Sequence, residues 1–131
     1  MNQMQAIISD IQSVQNLNIV TFSINTIPLS MMSLDLEQTL QVGSEVILSC
    51  KPTSIALAKE ISGVLSFSNQ LEVRILEVQE GALLCVVTLQ FQTFTLESVI
   101  TTASFKRMHL QVGEDVVALI KSSDLFIQRS L

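Results

Sequence analysis

The sequence predicts an all-β protein of two tandem five-stranded β-barrel repeats, because it repeats itself, alternates apolar with polar residues, and shows almost no helical periodicity. Asn2-Gln3-Met4 returns as Asn69-Gln70-Leu71, and Leu40-Gln41-Val42-Gly43 returns as Leu110-Gln111-Val112-Gly113. The offset is 67 residues at the first motif and 70 at the second, so the second copy holds three extra residues between them. These motifs divide the chain into a first repeat, 1–60, a connection, 61–65, and a second repeat, 66–131.

Period-two alternation identifies the strands within each copy. Residues 20–24 and 87–91 alternate apolar and polar side chains, as strands with one solvated face do. Residues 46–48 and 116–120 are apolar on both faces and predict strands that are covered on both sides. One further short strand per copy is predicted from Ile55-Ala56-Leu57 and Leu125-Phe126-Ile127.

Two irregularities and two short helices complete the predicted elements. The apolar phase slips by one residue within 71–78, and a comparable slip at 7–8 predicts a β-bulge or sharp bend in each copy. Helices are predicted at 33–39 and 104–109, each opened by a serine that can cap the first turn. Five short strands and one short helix per copy suit a small OB-like barrel, whose closure removes exposed strand edges.

Composition excludes several classes of function. The 131 residues are 48% hydrophobic, which is enough to bury a substantial core. A net charge of −5, with scattered basic residues and no tryptophan or tyrosine, argues against direct binding of nucleic acid. No apolar run reaches the roughly 18 to 20 residues of a membrane span, and residues 1–3 do not begin a signal peptide. We therefore expect a cytoplasmic protein without membrane insertion.

No residue grouping indicates catalysis or a metal site. Cys50 and Cys85 lie in apolar segments without further ligands at metal-binding spacing, and we expect both to be buried free thiols. The single histidine, His109, has no Ser/His/Asp partners and is expected on the solvated surface. The sequence therefore predicts a protein that is not an enzyme and needs no cofactor.

Hydroxyl residues beside two equivalent lysines are the strongest indication of a binding site. Lys51 and Lys121 each follow the most apolar strand of their copy, and small hydroxyl residues follow them at 53–54 and 122–123. The simpler interpretation is a charge that protects a hydrophobic strand from aggregation. The alternative is an oxyanion site, since a cation beside hydroxyls and turn N–H groups suits an anion.

Further hydroxyl residues could contribute to such a site. Ser66 and Ser68 precede the second Asn-Gln motif. Ser30 and Ser98 each stand before two apolar residues and a further hydroxyl residue, and on this pattern we pair them between the copies. Serine-rich turns are common in themselves, so the indication rests on the recurrence of this pattern.

In order along the chain, these motifs resemble the molybdate-binding Mop domain of the TOBE group, and the two fused copies resemble the di-Mop molbindins. The chain is also similar to the paired C-terminal domains of the molybdenum-responsive transcription regulator. The resemblance covers the whole chain. It implies a pair of OB-like barrels that assembles into a homo-oligomer, a dimer or a trimer, and binds molybdate or tungstate between subunits or repeats. The oxyanion-binding residues that it implies are Ser66, Ser68, Asn69, Ser98, Lys121 and Ser122 in the second copy, and Ser30 and Lys51 in the first.

The chain departs from the family pattern at four positions. Ser68 stands in place of an arginine and Phe67 in place of an alanine, while Glu97 replaces a threonine. Pro52 removes a backbone donor directly after Lys51. Two functions therefore remain open from the sequence: storage, buffering or sensing of molybdate or tungstate, or a non-catalytic interaction or regulatory module of the same fold that has lost anion binding.

Overall fold

The computed structural model describes residues 1–131 and confirms a mainly β protein of ten strands and one α-helix. The strands of the first copy are β1 (Asn2–Val14), β2 (Leu17–Ile24), β3 (Ile27–Ser33), β4 (Glu45–Cys50) and β5 (Ala56–Ala58). Those of the second copy are β6 (Asn69–Glu80), β7 (Leu84–Phe91), β8 (Phe94–Thr101), β9 (Asp115–Ile120) and β10 (Phe126–Ser130), with helix α1 (Thr102–Met108) after β8. Two 3-10 helices, Pro52–Ser54 and Ser122–Asp124, precede the last strand of each copy. None of the helices has the length and apolar character that crossing a membrane requires.

The strands form two antiparallel five-stranded sheets, and each sheet takes its last strand from the other copy. The first sheet has the order β10-β4-β1-β2-β3, and the second has the order β5-β9-β6-β7-β8. In the first sheet Phe126 of β10 pairs with Ser49 of β4, while in the second Ala56 of β5 pairs with Leu119 of β9. The sequence predicts five strands per copy but gives no sign of this exchange.

One continuous hydrophobic core lies under both sheets. It contains 24 buried apolar residues drawn from both copies, among them Phe22 and its repeat counterpart Leu89. The buried hydroxyl of Ser98 in β8 donates to the carbonyl of Ile55 at 2.7 Å, which joins the two edge strands of the second sheet as in a closed barrel. The two repeats therefore share a single interior, as their small size favours.

The predicted bulges are present in both copies and are tied to the repeated glycines. Strand register shifts between Ile8 and Asp10 in β1, and equivalently in β6. The N–H of Gly43 donates to the carbonyl of Ile8 at 2.8 Å, and that of Gly113 donates to the carbonyl of Ile75 at 2.7 Å. Both glycines have positive φ, +96° and +89°, which explains why each copy has glycine here.

The predicted helix of the first copy is not formed. Residues 34–39 contain no helix, and the hydroxyl of Ser33 instead closes a local turn by donating to the carbonyl of Asp35 at 2.8 Å. The second copy forms α1, which begins earlier than predicted, because Thr101 rather than Ser104 caps it. The connection from β3 to β4 is shorter than that from β8 to β9, so the extra residues of the second copy supply the helical turns.

Lys59, just before the connection between the copies, anchors the end of the first repeat to the end of α1. Its Nζ donates to the carbonyls of Met108 and His109, both at 3.1 Å, and lies 2.7 Å from a carboxylate oxygen of Glu114. A cation is favourable where helix carbonyls lack partners. The hydrogen bond from Lys59 also lowers the pKa of the Glu114 carboxyl, so this contact is strongest above the usual pKa of a glutamate.

Cutting the connection should not separate the two halves. A protease site inserted between the exposed residues Ser62 and Gly63 breaks the chain, but β5 and β10 still hold each half to the other through main-chain hydrogen bonds. We expect the cut protein to elute from size exclusion with the uncut protein in buffer, but as clearly smaller fragments than the uncut chain in urea. Two separate fragments in buffer would contradict the exchanged arrangement.

Candidate functional site

Asn69, at the start of β6, binds the main chain of Ser30, an edge residue of the other sheet. The side chain of Asn69 is fully buried. Its Oδ1 accepts from the N–H of Ser30 at 2.7 Å, and its Nδ2 donates to the carbonyls of Ser30 and Ile120, both at 3.0 Å. The amide thus takes the place of a neighbouring strand along the free edge of β3, which would otherwise leave polar groups unpaired.

Asn2 makes the equivalent contact at the start of β1. Its Oδ1 accepts from the N–H of Glu97 in β8 at 2.7 Å, and its Nδ2 donates to the carbonyl of Glu97 at 2.9 Å. The same Nδ2 lies 3.8 Å from the sulfur of Cys50. Each copy therefore uses its first asparagine to hold the third strand of the other copy.

These contacts define two related junctions between the copies. The Asn69 junction contains Asn69, Ser30, Lys121 and Ser122, because the second 3-10 helix packs against β3. The Asn2 junction contains Asn2, Glu97, Lys51 and Pro52, because the first 3-10 helix packs against β8.

Most of the predicted site residues meet at the Asn69 junction. Asn69 pairs with Ile120 in the β6–β9 ladder, so Ser68 and Lys121 stand at the adjoining ends of paired strands. Lys121, Ser66 and Ser68 are exposed, and Ser30 and Ser122 are half-buried. Lys121 and the hydroxyl residues Ser30, Ser68 and Ser122 therefore lie close to Asn69, and Ser66 lies three residues before Asn69 in the chain.

Asn69 itself positions the junction rather than offering donors to a ligand. Both of its amide hydrogens are engaged by carbonyls, those of Ser30 and Ile120. The sequence identifies Asn69 through the repeated Asn-Gln motif but does not reveal that its partner is a strand of the other copy.

The sequence-based pairing of Ser30 with Ser98 is wrong by one position. Thr21 pairs with Ser30 across β2 and β3, and its counterpart Thr88 pairs with Glu97 across β7 and β8. Ser30 is therefore equivalent to Glu97, and Ser98 is equivalent to the buried Met31. A one-residue slip moves a side chain to the opposite face of a strand, so Ser98 points into the interior.

Two of the predicted residues accordingly lie away from Lys121. Ser98 is fully buried, bonded to Ile55, and belongs to β8, the strand that contacts Asn2. Lys51 is exposed at the Asn2 junction. The sequence groups the candidate residues by copy, whereas the fold groups them across copies.

The environment of the Asn2 junction differs from that of its counterpart. Burial raises the pKa of the Cys50 thiol, and the nearby Asp124 carboxylate acts in the same direction.

Cys50 and Cys85 are both buried free thiols, as predicted. No cluster of histidine, cysteine, aspartate or glutamate in the chain is arranged to hold a metal ion.

A surface cavity lies away from both junctions. It has a volume of about 640 Å³ on the outside of the second sheet, beside the connection, and none of the predicted site residues lines it. Arg74 and Asp115 in its wall form an ion pair at 3.0 Å, and Glu72 adds a further carboxylate. A wall with this many acids, and with its arginine already paired, does not favour an anion.

Replacing Asn69 by alanine should destabilise the protein strongly. The change leaves the N–H and carbonyl of Ser30 without their partner, and we expect a loss of about 2 to 4 kcal/mol of unfolding free energy. Urea unfolding followed by circular dichroism measures it. Gln70→Ala is the matched control, because Gln70 is exposed and should change stability by less than about 0.5 kcal/mol. Equal stability of both variants would contradict the structural role of Asn69.

Comparison with known proteins finds a matching domain in the second copy and a matching fold for the whole chain. The model of the TOBE domain matches residues 65–127. A solved structure described as the cytoplasmic molybdate-binding protein ModG, in a form with molybdate bound, superposes with a TM-score of 0.89 at 23% sequence identity, over 96% of this chain and 94% of that one. Comparison with curated proteins by sequence gives no significant match. Residues 65–127 therefore match the TOBE domain, and the whole chain shares the fold of that solved structure.

Proposed function

We propose that this protein binds molybdate or tungstate in the cytoplasm, for storage, buffering or sensing, at the Asn69 junction. The observation that carries the proposal is that the fold brings Ser30 of one copy to the start of β6 and to the turn after Lys121 of the other. The likeness to ModG, whose structure is described with molybdate bound, supports the same ligand.

The donors at this junction suit a tetrahedral dianion. Lys121 supplies a positive charge, and the hydroxyls of Ser30, Ser66, Ser68 and Ser122 supply neutral donors. Each charge-assisted hydrogen bond contributes about 1.5 to 3 kcal/mol, so a few of them bind an anion without an excess of basic residues. The net charge of −5 is therefore compatible with an anionic ligand.

The ligand is bound and released without chemical change. The donors at the junction are a lysine and serines, and no histidine lies among them. This arrangement suits reversible binding. Sulfate is a smaller tetrahedral dianion, and a site shaped for molybdate or tungstate should hold it less tightly.

A second copy of the chain completes the site. Lys121, Ser66 and Ser68 are exposed in the single chain, so a surface that covers them is needed to enclose the anion. Large apolar side chains are also exposed, including Leu17 and its repeat counterpart Leu84, at 41% and 55%. Apolar surface of this kind favours association, and we expect a homo-oligomer.

Isothermal titration of extensively desalted protein with molybdate tests the proposal. Lys121→Ala removes the cation of the junction and should raise Kd roughly tenfold to a hundredfold, which corresponds to the loss of one charge-assisted hydrogen bond. Lys106→Ala is the matched control, because Lys106 is exposed on α1, outside both junctions, and should leave Kd unchanged.

Tungstate and sulfate are titrated beside molybdate, and light scattering gives the oligomeric state. We expect saturable binding of molybdate and tungstate and weak binding of sulfate by an oligomer. The absence of any heat of binding with all three anions would contradict the proposal and would favour an interaction module without an anion site.

A further inference from the structure

The two junctions have the same main-chain geometry but different side chains. Ser30 bonds to Asn69 at 2.7 and 3.0 Å, and Glu97 bonds to Asn2 at 2.7 and 2.9 Å. The backbone of the chain therefore builds the same framework twice. Whatever distinguishes the junctions must come from the side chains placed on this framework.

At positions 97 and 52 the Asn2 junction replaces donors of the Asn69 junction with groups that do not suit an anion, whereas Asp124 ends the second 3-10 helix where Ser54 ends the first. Glu97 carries a carboxylate where Ser30 carries a hydroxyl, and its side chain is exposed on the outer side of β8. Pro52 has no N–H, whereas Ser122, which also opens a 3-10 helix, has both an N–H and a hydroxyl. Lys51 is equivalent in position to Lys121. The carboxylate of Glu97, however, lies at the same junction as Lys51.

From this difference, we infer that oxyanion binding is confined to the Asn69 junction and that Glu97 is the residue that closes the Asn2 junction to anions. The inference rests on the proposed function, which supplies the ligand. A carboxylate repels a dianion at short range, and it also offsets the attraction of Lys51. The repeat builds two equivalent junctions, and only the Asn69 junction binds the anion.

The inference predicts that a second site can be opened by two substitutions. Asn2 binds only main-chain atoms of residue 97, so Glu97→Ser leaves the contact between the copies intact. Pro52→Ser restores the N–H and adds a hydroxyl at the start of the first 3-10 helix. We expect the Glu97→Ser/Pro52→Ser variant to bind twice as many tungstate ions per chain as the unmodified protein.

Tungstate titration gives the stoichiometry, and anomalous scattering from tungsten in crystals gives the position of each ion. The unmodified protein should show tungsten at the Asn69 junction alone. Pro52→Ser by itself should also show one kind of site, because Glu97 remains. Glu72→Ser combined with Pro52→Ser is the matched control, since Glu72→Ser removes an exposed acid of the second sheet that belongs to neither junction and leaves Glu97 in place.

The outcomes separate this inference from the proposed function. Tungsten at both junctions of the unmodified protein, or a second site opened by Pro52→Ser alone or by the Glu72 control, would overturn the role of Glu97. A Glu97→Ser/Pro52→Ser variant that keeps its fold by circular dichroism but gains no ion would overturn it as well. Failure of the unmodified protein to bind tungstate anywhere would instead refute the proposed function.

Discussion

Each sheet of this protein is completed by the last strand of the other copy, and the main-chain hydrogen bonds of β5 and β10 make the two repeats one folding unit. β4 and β9 are the strands that receive these partners, and both are apolar on two faces. The exchange gives β4 and β9 a hydrogen-bonded neighbour on each edge, so neither of these apolar strands is left as a sheet edge. The single shared core is a direct consequence.

The exchange also creates the junctions. The chain must leave β4 at Cys50 and β9 at Ile120 to cross to the other sheet, and each crossing begins with a lysine and a 3-10 helix. The buried asparagine at the start of each copy then pairs with the free edge of a strand from its neighbour. A short amide is well suited to this role because it offers one acceptor and two donors in a plane, as a strand backbone does.

The internal symmetry of the fold is stronger than that of its surface. The bulges, the glycine turns and the asparagine contacts recur in both copies with nearly the same distances. Only one copy forms a helix after its third strand, and the exposed side chains at the junctions differ. Backbone geometry is held by packing and hydrogen bonding throughout, whereas an exposed position such as residue 97 can change without cost to the framework.

The sequence by itself determined the repeat, the all-β class, most of the strands, the bulges and the buried cysteines, because these follow from local periodicity and composition; it did not locate β3 and β8. It also identified Lys121, Ser122, Ser30 and Asn69 as candidates. Their grouping was decided by the tertiary structure, since strand exchange depends on which edges meet and leaves no periodic signal. The same holds for the register that pairs Ser30 with Glu97, where a shift of one residue reverses which side chain faces the solvent. The helix expected at 33–39 is not formed, for a related reason. A serine and a few helix-compatible residues allow a turn there. Whether a helix fits depends on the length of the connection between the two strands that it joins.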